Sequence, residues 1–109
     1  MNMENIVFSI ILHAGNAKSN CFEALSAARA GNYAEAERLL EQAKKELLEA
    51  HQVQTGMLQK EAAGDKQQLS LLLIHAEDHL AGALLARDLI EEMIRMYKDF
   101  RPLGDEQVD

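Results

Sequence analysis

A chain of 109 residues with 48% hydrophobic content is long enough for one packed domain and too short for two. Eleven basic residues against eighteen acidic ones leave a net charge of −7, which argues against nucleic acid or an anionic membrane as partner, because those surfaces select Lys/Arg clusters. Cys21 is the only cysteine, so no internal disulfide or cysteine-rich zinc site can form, as fits a reducing cytoplasm.

The first element spans about residues 3–30. It opens on Glu4 with no basic flank and holds no apolar run near the ~20 residues a membrane span needs, so a soluble protein without a signal peptide is expected. Val7, Ile10, Ala14, Ala17, Cys21, Ala24 and Ala28 recur at three- and four-residue steps and form one helical stripe. Its small residues let a neighbour approach closely, and Gly31-Asn32 ends it.

The second helix is expected over about 33–63. Ala36, Leu40, Ala43, Leu47, Ala50 and Met57 share one face, and Gly64-Asp65 closes it. The third is expected over about 66–100, ending before Pro102, the only proline. Residues 101–109 read as a disordered polar tail outside a single domain of residues 1–100. Few aromatics, no Trp and no period-two alternation point to an all-α fold, and two short joints imply an antiparallel up-down-up three-helix bundle.

The third helix carries two apolar stripes. Leu71, Ile74, Leu85, Leu89, Met93 and Met96 form one; Leu72, Ala76, Ala83, Ala86, Ile90 and Tyr97 form the other. A three-helix bundle buries one stripe per helix, so the second implies copies of the same chain, a homo-oligomer centred on this helix.

Within it lies His75-Ala76-Glu77-Asp78-His79-Leu80. At ~100° per residue His75 and His79 stand about 40° apart on neighbouring turns. Gly82, two turns beyond His75, leaves a gap. Asp78 falls inside the first apolar stripe, where a lone carboxylate is costly unless paired or metal-bound. From the residues alone, three readings stand: hydrogen-bonded core histidines, a metal site of His75, Asp78 and His79, or an Asp78 surface ion pair. His13 and His51 read as structural or surface residues, and Cys21 reads as core.

Several separated stretches resemble one known family. They are His13-Ala14-Gly15-Asn16-Ala17, Gly31-Asn32-Tyr33-Ala34-Glu35-Ala36, Ala50-His51-Gln52-Val53-Gln54-Thr55, Lys60-Glu61-Ala62 with Gly64, and Leu71 through Leu80. Together, from Ile6 to Tyr97, the chain resembles the enzyme IIA components of the lactose/cellobiose (lactose/chitobiose) class of the bacterial phosphoenolpyruvate-dependent sugar phosphotransferase system. The resemblance implies a cytoplasmic homotrimer of three-helix bundles. It implies that His75 is the phosphorylated histidine and that His79 is the motif's second histidine; as a neighbour of His75, His79 is expected to stabilise the phosphoryl group as a donor to its oxygens. Asp78 would meet its symmetry copies on the trimer axis around a divalent cation such as Mg2+.

The phosphoryl donor would be the phosphocarrier HPr and the acceptor a cysteine of the cognate enzyme IIB, with no sugar bound here and no membrane insertion. The chain departs from the family at Glu77, where Gln is usual, at Ala81, where Met is usual, and at Gly56, often a larger polar residue. Glu77 adds an anion to the segment that would receive a phosphoryl group. Two other classes compete: a helical metal-binding protein, and a tetratricopeptide-like interaction protein built on Gly31 to Ala36 with Leu39 and Leu40. A tetratricopeptide array needs at least about three repeats, and this segment occurs once.

Overall fold

A computed structural model describes residues 2–100. They form α1 (Met3–Arg29), α2 (Tyr33–Ala62) and α3 (Leu71–Phe100), with no strand among the described residues. The expected tail, 101–109, lies outside them.

Each boundary has a local cause. The Asn2 side chain accepts the Asn5 N–H at 2.9 Å and caps α1. At the other end Gly31 adopts φ 83°, a left-handed turn that a Cβ would strain. The turn lets the Gly31 and Asn32 N–H groups close onto the carbonyls of Ala28 and Ala27, both at 2.9 Å. Asn32 then caps α2 by accepting the Glu35 N–H. Gly64, φ 97°, ends α2 in the same way, with the Asp65 N–H bonded to the Lys60 carbonyl.

The third helix starts five residues later than Lys66, the expected position. The Ser70 hydroxyl accepts the Leu73 N–H at 3.1 Å, and the Ser70 carbonyl accepts the Ile74 N–H at 3.0 Å, which sets the first turn at Leu71. The preceding Lys66–Leu69 are good helix formers, so propensity and pattern missed the cap.

The core is a line of small residues on α1 flanked by larger ones. Val7, Ile10, Ala17, Cys21, Ala24 and Ala28 are fully buried and Ala14 nearly so. With side chains this short, α2 and α3 both pack closely onto α1 and touch each other only sparsely. Polar ties join those two. The Tyr33 hydroxyl donates to the Tyr97 carbonyl at 3.2 Å, Lys98 reaches Glu37 at 2.6 Å, and Gln54 Nε2 donates to Glu77 Oε2 at 2.5 Å. Early α2 thus meets late α3, and the later part of α2 meets early α3, giving the antiparallel up-down-up order.

Only part of the second expected α3 stripe is buried. Ala76, Ala83 and Ile90 are, joined by Leu73, Leu80 and Ile94, whereas Leu72 is 48% exposed. Every member of the first stripe, Leu71, Ile74, Leu85, Leu89, Met93 and Met96, is exposed in the single chain.

Candidate functional site

The site grows from one property of α3: four residues cover slightly more than a turn. His75 and His79 are both exposed, with Nε2 atoms 3.1 Å apart and rings edge to face at 4.5 Å between centroids, planes 85° apart. Such a contact needs a single hydrogen, carried on Nε2 of one ring and aimed at the bare Nε2 of the other. The pair lies beyond the start of α3 at Leu71, on its solvent side. Of the three readings open from the residues alone, hydrogen-bonded core histidines are excluded by this exposure.

Asp78 is exposed in an open groove with Leu71, Leu72, Ile74 and His75. It makes no ion pair within the described residues. Among those residues no three His, Cys, Asp or Glu side chains gather as a metal cluster, so His75, Asp78 and His79 do not converge on one ion. A carboxylate is an ordinary ligand for a hard cation, and among the described residues lining this groove Asp78 alone carries one.

Gly82 lies on the exposed face, and a Cβ added there would meet nothing within 4 Å among the described residues. Any clearance it provides therefore serves a molecule that docks from outside.

Glu77 points elsewhere. It is two residues from each histidine, about 160° around the helix from both, and its carboxylate turns to α2, where Gln54 donates to Oε2. Its Oε1 is buried without a partner. The anion that sets this chain apart from the family pattern is thus spent on the α2–α3 contact and does not face the imidazoles.

The remaining candidates are structural. Burial pushes the Cys21 thiol up to about 11, so it is no nucleophile near neutrality. His13, read from sequence as structural or surface, has a defined partner: its Nδ1 lies 3.2 Å from Glu46 Oε1, which also accepts from Asn16 Nδ2 at 2.8 Å. The Asn16 amide, helped by the His13 ring and opposed by partial burial, holds Glu46 below the ordinary carboxylate range. Sequence reasoning missed this trio because its members come from two helices; spacing within one helix carries no such signal. His51 is exposed on α2.

Comparison with known proteins gives this geometry a family. Residues 5–98 match the family described as PTS system, lactose/cellobiose-specific IIA subunit. The lichenan-specific phosphotransferase enzyme IIA component of Bacillus subtilis is 45% identical over 96 residues, 88% of this chain and 87% of that one. The lactose-specific EIIA component of Streptococcus mutans is 45% identical over 91 residues, 84% and 88% of the two chains.

Among solved structures, the cellobiose-specific enzyme IIA from Bacillus anthracis superposes with a TM-score of 0.87 at 44% identity, covering 92% of this chain and 93% of that one. The chitobiose IIA of Escherichia coli, solved in complex with HPr, gives a TM-score of 0.81 at 36% identity, covering 93% and 98%. Both the tetratricopeptide and the stand-alone metal-protein readings give way to this match, and Gly31 to Ala36 is the α1–α2 corner of the bundle. With a family match across most of its length and close relatives covering nearly all of it, the chain belongs to the lactose/cellobiose-specific IIA subunits of the phosphotransferase system.

Proposed function

We propose that His75 is the phosphoryl-carrying residue of a cytoplasmic IIA component, charged by phospho-HPr and discharged onto a cysteine of the cognate enzyme IIB. The pathway would import a disaccharide of the lactose, cellobiose or chitobiose type. The observation that carries this reading is the exposed imidazole of His75 with a second imidazole nitrogen at 3.1 Å. The Escherichia coli relative solved with HPr supports the choice of donor.

A histidine suits reversible transfer, because neutral imidazole is nucleophilic near neutral pH and phosphoimidazole is a labile donor. In the productive tautomer His79 carries hydrogen on Nε2, and His75 presents a bare Nε2. The new N–P bond forms in line as the donor's N–P bond breaks, so the protein contributes mainly position and charge stabilisation. His79 then turns its N–H to a phosphoryl oxygen, offsetting part of the roughly −1.5 to −2 charge that arrives. Gly82 keeps the approach clear for the docking protein.

Three copies would assemble through the exposed α3 stripe and bring the Asp78 carboxylates together on an axis. A divalent cation there, Mg2+ by hardness of the ligands, would offset their mutual repulsion.

Replacing His75 with Ala tests the central assignment. With enzyme I, HPr and phosphoenolpyruvate supplied, wild-type protein should take one acid-labile phosphoryl group per chain and the variant none. Full labelling of the variant would place the acceptor elsewhere.

A further inference from the structure

We infer that the His75–His79 pair is a two-ligand site for a borderline-soft transition-metal ion, and that an ion bound there blocks phosphoryl acceptance. The second half rests on His75 being the acceptor; the first does not.

The two Nε2 atoms are 3.1 Å apart on one rigid helix. Two metal–imidazole bonds of about 2.0–2.1 Å spanning that gap meet at roughly 95–100°, between the square-planar and tetrahedral angles these ions adopt. From a head-on contact each ring has to turn by roughly 40° about its side-chain torsions to aim its lone pair at a common point, a rotation that the exposure of both rings leaves room for. The shared ring hydrogen passes through water from Nε2 to Nδ1, so both nitrogens are bare and no proton is released overall. Both rings are exposed, and an ion on them keeps positions open to water.

No nearby group competes for or completes the site. Cys21 is fully buried, and no third His, Cys, Asp or Glu joins the pair among the described residues. Asp78 lies on the groove side of His75 and offers hard oxygen to a different class of cation. The consequence is competition for a single lone pair: Nε2 of His75 cannot hold a metal and a phosphoryl group together. A chelate with only two protein ligands is held loosely enough to exchange, which makes the block reversible.

The test uses the untagged full chain in buffer free of phosphate and amines. Titrating Cu2+ or Ni2+ while following the histidine ring signals by NMR should broaden His75 and His79 first, at one ion per chain. Cu2+ should bind more tightly than Ni2+, and Mg2+ should not displace either. His79→Ala should weaken binding at least tenfold by removing the chelate, and phosphorylated protein should bind no more tightly than that variant.

In a second arm, preformed phospho-HPr donates to metal-free protein with and without stoichiometric Ni2+. Ni2+ should slow labelling at least tenfold, EDTA should restore it, and His79→Ala should need about tenfold more Ni2+ for the same slowing. Binding unchanged by His79→Ala, or broadening centred on His13 or His51, overturns the chelate. Labelling that proceeds at full rate with Ni2+ seated on the pair overturns the block. If protein exposed to neither Ni2+ nor EDTA takes no label at all, the carrier reading fails, and the titration still decides the chelate.

Discussion

The two faces of α3 are built from the same kinds of residue and end in opposite places. On one, Leu73, Leu80, Ile90 and Ile94 are at most 6% exposed and pack into the core of their own chain. On the other, Leu71, Ile74, Leu85, Leu89, Met93 and Met96 are between 42% and 83% exposed. Hydrophobicity alone does not tell a core from an assembly surface; what separates them is whether the chain has another helix left to cover the face. Three helices can close only one side of α3, and the uncovered side carries Asp78 in its midst, with His75 at its border. A face that large is normally buried against a partner, which is the basis for the proposed trimer.

Five variants, one of them read through a pH profile, test that contrast. The largest effect belongs to the open face: Leu85→Asp with Leu89→Asp should convert trimer fully to monomer by sedimentation. The separate chain should keep its fold, within about 0.5 kcal/mol per site. Unfolding of the chain itself would show that the face is core after all.

On the closed face, Leu80→Ala should cost about 2–5 kcal/mol, seen as a lower urea midpoint at unchanged slope. A cost below about 1 kcal/mol would erase the distinction between the faces. Asp78→Leu should leave the proposed trimer intact or tighter and leave no divalent cation bound at its axis. Dissociation to monomer would make Asp78 an essential ligand holding the copies together.

The buried interior also predicts an alkaline limb. Because burial raises the folded Cys21 pKa from 9.0 to about 11, its contribution to stability is complete below pH 9 and lost as pH climbs through 11. Cys21→Ala should flatten that part of a stability–pH curve, and an unchanged curve would mean the thiol ionises without cost. The smallest effect is at the flank between the faces. Glu77→Gln should stabilise the chain by about 0.5–1 kcal/mol, since a neutral amide replaces a carboxylate with one unpartnered oxygen. Loss of stability would show that the charge strengthens the Gln54 contact.

Much of the architecture was readable from spacing. All seven residues of the α1 stripe are buried, as are Ala36, Ala43, Leu47 and Ala50 of α2, because a helix with one covered face imposes its 3.6-residue period on the sequence. The histidine pair followed from the i, i+4 relation alone. What escaped had no periodic signature. Leu73, Leu80 and Ile94 lie close enough to the expected stripes that only the direction of the neighbouring helix decides their burial. Ser70 acts through one hydroxyl, invisible among good helix formers. Gln54 with Glu77, and His13 with Asn16 and Glu46, pair across helices, where sequence separation carries no distance.

Ser70 has a consequence for how this chain tolerates change. Ser70 sets where α3 starts, and the buried Leu73, Ala76 and Leu80 set which way it faces, so the rotational phase of His75 is fixed by residues that follow the Asp65–Leu69 linker. Between Asp65 and Leu69 the described hydrogen bonds include only a Gln67 side-chain contact to the Asp65 carbonyl within the segment. Residues added there would lengthen the tether without turning the imidazole, so natural variants can drift in loop length, and an engineer can splice a reporter, while His75 keeps its aim.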